Sequence, residues 1–394
     1  MDYKLSKQVT SAEMMIIDVI AAKAEGIDDF VSMSIGSPSP ETFPVDKIKH
    51  YYDVAFDTNA DSILSYSGGR AKAIEEIKKW LEGRGFDLTG KALHLIPGSG
   101  PGMDVMCATF CDKGDIILTE EFTYPGIMDA ARFVEAQCVP VKTSLDGIDL
   151  DDLRAKAEKY HPKFLYIVPT FSNPLGVTID EEKRKGILKI ASECDFMVYE
   201  DDPYSQLRFK GDPVPEMIKL DTEGRVVHAE TFSKTLSSGI RVGFLLYDEK
   251  LAVPLMFCLG NNGGCSGPTE QMVGEFLANE DFPAQIKVPT AYYQAKLEVA
   301  LKALEDHMPE GVKWTKPEGG MFIWVECPEK VDTEKLCFDL IERKHVGMVP
   351  SSGFSPDGVN KGHGFRLCIS ISPTDKIDGA IASIAELIQE QLDA

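Results

Sequence analysis

FLYIVPTFSNPLGVTIDEEKRKGILKIASECDFMVYE, residues 164–200, spells out one strand–helix–strand unit. Phe164–Val168 and Phe196–Glu200 are near-continuous apolar runs, the pattern of strands buried on both faces. Between them, Asn173-Pro174 and Gly176 mark a turn, and Glu181–Cys194 reads as a helix. Strand, helix and strand in that order predict a parallel pair with a helical crossover.

The same alternation extends outward in both directions. Further strand candidates are Ala92–Ile96, Asp115–Leu118, Gln137–Val141, Val226–Glu230 and Val242–Leu246. Met103–Phe110 and Pro125–Ala136 read as helices among them. The expected fold class is α/β: a mostly parallel seven-stranded sheet sandwiched by helices. After Gly267 the pattern changes. A helical stretch from Thr269 to Leu304 precedes short strands near Met321–Glu326 and Arg366–Ser370, then a last helix. That is a smaller α+β domain. Ser11–Gly26 reads as a helix before a Pro/Ser/Gly loop, SMSIGSPSPETFP. The expected division is an arm at 1–45 near the cleft, a large domain at 46–282 and a small domain at 283–394.

Composition excludes several function classes. The chain has 394 residues, 43% hydrophobic and 26% charged, with a formal net charge of -22. An acidic surface makes nucleic acid and anionic lipid poor partners. The nine cysteines form no CxxC pair and read as reduced thiols. MDYKLSKQVTSAEMM does not read as a signal peptide, and no apolar run is long enough to span a bilayer. A cytoplasmic protein is expected.

In an open parallel sheet, ligands bind at the carboxyl ends of strands. Four candidate strands end in chemistry. Pro97-Gly98-Ser99-Gly100-Pro101-Gly102 leads into a helix, whose free N–H groups suit a phosphate; a plain glycine-rich turn is an even alternative. It is neither a dinucleotide fingerprint nor a P-loop. Asn173 sits in a turn and could offer its amide to a cleft. Asp201-Asp202-Pro203-Tyr204 is a charge partner or a solvated acidic turn; no metal is expected, since no histidine lies nearby in sequence. Thr231-Phe232-Ser233-Lys234, with Arg241 seven residues on, combines two hydroxyls, an amine and a guanidinium, and reads as an anion site with a reactive amine. In the second domain, Arg366 opens an apolar strand and could bind a carboxylate bidentately or make an ordinary salt bridge.

Together these residues resemble the fold-type-I, pyridoxal-phosphate (PLP) dependent aminotransferases of class I/II, and most of all the branch that includes the 2-aminoadipate and kynurenine enzymes. The resemblance runs from Gly36-Ser37-Pro38 through Glu120-Glu121-Phe122-Thr123-Tyr124, Asn173-Pro174-Leu175-Gly176, Asp201-Asp202-Pro203-Tyr204 and Thr231-Phe232-Ser233-Lys234 to Gly319-Gly320-Met321 and Arg366-Leu367. It implies that Lys234 holds the cofactor covalently and shuttles a proton. It implies that Asp201 pairs with the ring nitrogen, that Asn173 and Tyr204 bond the phenolic oxygen, and that Tyr124 stacks on the ring. Ser99, Gly100, Thr231, Ser233 and Arg241 would hold the phosphate. Arg366 would grip the substrate α-carboxylate, with Gly36 and Asn173 on the substrate side. Tyr66 resembles the tyrosine that reaches a neighbouring subunit's phosphate, which implies a homodimer with shared sites. The chain departs from the pattern at Gly100-Pro101, where a polar side chain is common, and after Tyr66, where the usual Leu-Arg pair is missing.

The implied activity is transfer of an amino group between an α-amino acid and a 2-oxo acid. Two alternatives share the motifs. One is β-elimination on the same fold, such as C–S lysis. The other is a PLP-binding sensory module, for which the expected early start of the first helix leaves no DNA-binding domain. Arg70 is a weak candidate for a second substrate carboxylate, with a surface arginine the blander reading.

Overall fold

Phe164–Ile167 and Met197–Asp202 are adjacent parallel strands joined by the helix Glu181–Cys194. The structure, a computed structural model, describes residues 3–10, 14–66, 69–261, 264–356 and 362–394. The crossover helix starts where Asp180 accepts a hydrogen bond from Lys183 N at 2.7 Å, satisfying a free donor of the first turn. It stops at Asp195, whose φ of 54° is left-handed.

Seven strands build the central sheet: β1 (Lys91–Ile96), β2 (Ile116–Glu120), β3 (Gln137–Val141), β4 (Phe164–Ile167), β5 (Met197–Asp202), β6 (Val226–Thr231) and β7 (Gly243–Asp248). Their order is β1-β7-β6-β5-β4-β2-β3. All neighbours are parallel except β7, which runs antiparallel to both β1 and β6. Side chains alternate between faces. Leu165, Ile167 and Val198 join a core with Ile187 and Ile190 of the crossover helix. Phe164, Tyr166 and Tyr199 join the opposite core with Met103, Met106 and Ile127. Helices therefore cover both faces, as the apolar runs predict.

A second, antiparallel sheet contains β8 (Lys313–Trp314), β9 (Phe322–Glu326), β10 (Val349–Pro350) and β11 (Gly364–Cys368), in the order β8-β9-β11-β10. Trp324, Leu367, Leu340 and Ile381 pack in its core. One helix, Phe282–His307, serves all three cores: Phe282 and Ile286 the first, Tyr293 the second, Leu297, Ala300 and Leu304 the third.

Several boundaries differ from the sequence reading. Asp201 and Asp202 are the last residues of β5, not a turn beyond it, because their backbones continue the ladder with Ala229 and Glu230. The stretch 269–304 is two helices, Gly267–Asn279 and Phe282–His307. The break falls where Asp281 accepts from Ala284 N at 3.0 Å and Pro283 occupies the first turn, so a new helix is capped there. The first helix described near the arm is Ile16–Ala24; Ser11, Ala12 and Glu13 lie outside the described residues. Of the glycine-rich stretch Asn261–Cys265, Asn262 and Gly263 also lie outside them. Among the described residues, no helix is long and apolar enough to cross a membrane.

Candidate active site

The carboxyl ends of β1, β4, β5 and β6 converge on a cavity of about 380 Å³, within the range of small-molecule sites. Its lining includes Gly36, Ser99, Gly100, Tyr124, Asn173, Asp201, Tyr204, Thr231, Ser233, Lys234, Arg241 and Arg366. Residues read from seven separate stretches of sequence thus meet in one place. Tyr66 does not: it is fully exposed and away from the cavity. Arg70 is also elsewhere, with its Nε 3.8 Å from Glu270.

One end of the cavity is built for an anion. Ser99 precedes the helix Gly100–Phe110, at whose positive end Pro101 has no N–H and Gly102 N is tied back to Ser99 O at 3.0 Å, leaving the N–H of Gly100 without a helical partner. Arg241 lies across this loop and donates to Pro97 O. Gly98 makes that possible: its φ is +82°, and a Cβ there would come 2.6 Å from the Arg241 guanidinium. Thr231 and Ser233 share a hydroxyl–hydroxyl bond of 2.9 Å, and Ser233 N donates to Thr231 Oγ1 at 3.1 Å.

Asp201 projects from β5 into the middle of the site and is buried. Its Oδ2 accepts from the Tyr166 hydroxyl at 2.8 Å. Its Oδ1 is buried without a hydrogen-bond partner. The Ser99 hydroxyl eases the charge from nearby but makes no hydrogen bond of sound geometry to it. Burial pushes the Asp201 carboxyl up to about 6, against the pull of Tyr166, Ser99, His228 and Lys234. Lys234 Nζ donates to Gly36 O at 2.8 Å. Burial, with Arg366 and Arg241 nearby, pushes the amine down to about 8, so much of it is uncharged at mildly alkaline pH. A buried amine of lowered pKa is a nucleophile. Tyr124 is partly exposed at the mouth, packed beside Gly126, where a Cβ would meet its ring at 2.6 Å.

Arg366 is the buried cation on the far side. Nη1 donates to Asn173 Oδ1 at 2.7 Å, and Nη2 donates to Ser34 O. Its guanidinium lies over Phe322 at 4.6 Å and Phe354 at 4.9 Å. Its Nε has no partner. The bond from Arg366 uses the carbonyl side of Asn173 and leaves the amide N–H₂ as its free function.

This set fits PLP. The anion cradle suits a phosphate, the orphaned Asp201 Oδ1 suits a protonated ring nitrogen, and the amine of Lys234 suits an aldehyde.

Sequence reading missed two features. The first is Tyr166, buried in β4 and visible in sequence only as a polar tip in an aliphatic strand. The second lies on the opposite face of the sheet. Glu200 and Asp202 alternate with Asp201, and they meet His228 and Glu230 of β6 there. His228 Nδ1 is 2.9 Å from Glu200 Oε2, and Nε2 is 3.4 Å from Glu230 Oε2. Arg84 donates to both oxygens of Glu230 at 2.8 and 2.9 Å. A histidine thus accompanies the aspartate pair in space although none does in sequence: Asp202, His228 and Glu230 bring their side-chain donor atoms within 4.8 Å of one another.

Two groups of this cluster titrate: Asp202, which burial and the neighbouring carboxylates push up to about 7, and His228. Burial opposes its charge, but the Glu200 and Glu230 carboxylates outweigh that and push it up to about 10. Its folded value is above its usual 6.5, so its stabilisation is full below pH 6.5 and is lost as pH rises through about 10. The melting temperature should fall across that window, and His228→Gln should flatten the fall. An equal slope in the variant would remove His228 as the cause.

Comparison with known proteins places this architecture. Residues 28–384 match the family described as aminotransferase class I and II. The aromatic-amino-acid aminotransferase 1 of Thermococcus litoralis is 33% identical over 376 residues, covering 92% of this chain and 89% of that one. The structure of Pyrococcus horikoshii kynurenine aminotransferase in complex with PMP, KYN and KYA superposes with a TM-score of 0.94 at 33% identity, covering 99% of this chain and 98% of that chain. The α-aminoadipate aminotransferase LysN of Thermus thermophilus, complexed with N-(5'-phosphopyridoxyl)-L-leucine, gives a TM-score of 0.88 at 26% identity, with 99% and 98% covered.

Proposed function

The chain belongs to the aminotransferase class I and II family and is a PLP-dependent aminotransferase of fold type I, and from that premise we propose roles for its residues and a class of amino donor. When bound, PLP supplies an electron sink for the carbanion formed at the substrate α-carbon. Lys234 would hold the cofactor, and its amine would move the α-proton. The pKa of about 8 supports this, since a general base works best near the operating pH. Asp201 Oδ1 keeps the ring nitrogen protonated. Tyr204 and the Asn173 amide bond the phenolic oxygen, and Tyr124 covers the ring face. Ser99, Gly100, Thr231, Ser233 and Arg241 hold the phosphate. Arg366 and Gly36 receive the amino acid, with Arg366 on its α-carboxylate.

The donor is a large apolar or aromatic amino acid. One observation carries this. The lining includes the apolar residues Met15, Ile16, Ile17, Val349 and Phe354, and the cations among the described lining residues, Lys234, Arg241 and Arg366, all have roles. A second substrate carboxylate would be desolvated there without a partner. The relatives named for aromatic amino acids and kynurenine accord with it; LysN is named for the dicarboxylic α-aminoadipate and is complexed with a leucine adduct, so it falls on both sides. The test is a half-reaction screen of the PLP-loaded protein with single amino acids and no oxo acid. Phenylalanine, tyrosine, kynurenine or leucine should convert the cofactor to its pyridoxamine form with kcat/KM at least about tenfold above aspartate, a difference of ~1.4 kcal/mol. Preference for dicarboxylic donors would refute the apolar reading. No conversion by any amino acid would move elimination ahead.

We also propose a homodimer in the cytoplasm. The helix Ala252–Asn261 exposes Val253, Met256 and Phe257, and Leu64 and Tyr66 are exposed as well; patches of this kind serve as subunit contacts. In such a dimer Tyr66 would reach the neighbour's phosphate. The nine thiols, all free, accord with a reducing compartment. We propose the limits 1–45, 46–282 and 283–394 for the arm, the large domain and the small domain.

A further inference from the structure

Asp201 has two carboxylate oxygens in different situations. Oδ2 accepts from the Tyr166 hydroxyl at 2.8 Å, while Oδ1 is buried with no partner. Tyr166 is itself fully buried. Its phenol is held protonated by burial and by the neighbouring carboxylate, so it donates. Its ring packs on Tyr199, with centroids 5.8 Å apart and planes 29° apart. The two residues are cross-strand partners on β4 and β5. The Tyr199 hydroxyl in turn points to Ser99 O at 3.4 Å, and it passes over Gly102, where a Cβ would lie 2.2 Å from that oxygen. A rigid wall of two tyrosines therefore runs from the anion loop to Asp201.

We propose that Tyr166 is a positioning residue: its hydroxyl occupies Oδ2, fixes the rotation of the Asp201 carboxylate so that Oδ1 faces the ring nitrogen of the cofactor, and holds that carboxylate in its charged form. This rests on the reading that Asp201 carries the ring nitrogen. Three groups lie nearby. His228, and the amine of Lys234 when charged, favour the charged carboxylate, and the Ser99 hydroxyl does the same. Of the residues around Asp201, Tyr166 is the one whose hydrogen bond to it has sound distance and angle. A hydrogen bond to one oxygen both removes rotational freedom and weakens the carboxylate as a base. Without it, Asp201 is free to turn and takes more of the shared proton from the ring.

The experiment uses the PLP-loaded protein with an isotope-labelled ring nitrogen, read by nitrogen NMR, beside kcat and KM for the best donor. Tyr166→Phe keeps the ring and the packing and removes only the hydroxyl. The resonance should move measurably toward the unprotonated value. The kcat should fall about tenfold or more, the change that one unit of pKa represents, with KM within about twofold. Tyr199→Phe removes an equally buried hydroxyl that faces Ser99 instead, and should leave the resonance where it is. Unchanged resonance and kcat in Tyr166→Phe would overturn the proposal, as would an equal shift in Tyr199→Phe. Asp201→Ala separates this from its premise. If the ring nitrogen stays protonated in Asp201→Ala, the premise fails; if it is unprotonated there and unmoved in Tyr166→Phe, only the role of Tyr166 fails.

Discussion

Lys234→Ala should abolish turnover and erase the absorbance band of the lysine-bound cofactor. The expected loss is about 10⁴-fold or more. General acid–base assistance alone is worth roughly 10²–10⁴-fold, and the covalent attachment disappears with it. No other lysine lines the cavity among the described residues. Lys296 is buried too, but its Nζ is committed to Ser370 O and Ser372 O, both at 2.8 Å. The change is tolerable for folding: deleting a buried amine leaves Gly36 O without its donor and little else. The measurement is an absorbance spectrum of the variant with PLP and a rate with the best donor. A persisting band, or a rate near that of the parent, would remove Lys234 from the centre of the mechanism.

Asp201→Ala should keep some cofactor and lose most of the rate. The residues proposed to hold the phosphate, Ser99, Gly100, Thr231, Ser233 and Arg241, are not changed in this variant. In the proposed role of Asp201, what goes is the negative partner of the ring nitrogen, and with it the proton that would make the ring an electron sink. Removing one preorganised electrostatic partner from a reaction centre costs roughly 10²–10³-fold, and that is the expected fall in kcat. Phosphate binding should hold the cofactor affinity to a smaller loss. A variant with near-normal kcat would take Asp201 out of its role, whereas one that no longer binds PLP at all would mean that Asp201 anchors the cofactor more than it tunes it.

Much of this site is legible in the sequence because the fold collects strand ends. Each of the motifs around Ser99, Asn173, Asp201 and Lys234 follows a run of apolar residues, and a parallel sheet brings such ends to one edge. Nothing beyond local pattern is needed for that inference. What stays hidden depends on faces and registers. Whether Glu200 and Asp202 point with Asp201 or against it follows from strand alternation, but that they meet His228 requires knowing that β6 is the neighbour and that Glu200 is level with His228. Tyr166 is hidden for the same reason, since its level with Tyr199 is a pairing fact. The break at Asp281 was readable in principle: an aspartate followed two residues later by proline is a capping signal, and the continuous apolar periodicity on both sides obscures it. Tyr66 shows the opposite limit. Its motif is local and its expected target is in another chain, so a single chain cannot bring it to the site.

The two bonds from Arg366, to Asn173 and to Ser34, carry a consequence for the shape of anything that approaches it. Stacked over Phe322 and Phe354, the guanidinium has one plane and one rotamer before any ligand arrives. Immobilising a long side chain on binding costs roughly 0.5–1.5 kcal/mol, and here that ordering belongs to folding. Nη1 and Nη2 each spend one N–H on a tether and keep the other, and Nε is buried without a partner. A fixed fork of that kind is a gauge of approach: an anion that brings two oxygens into its plane meets two N–H groups at once, and one that arrives out of that plane meets at most one.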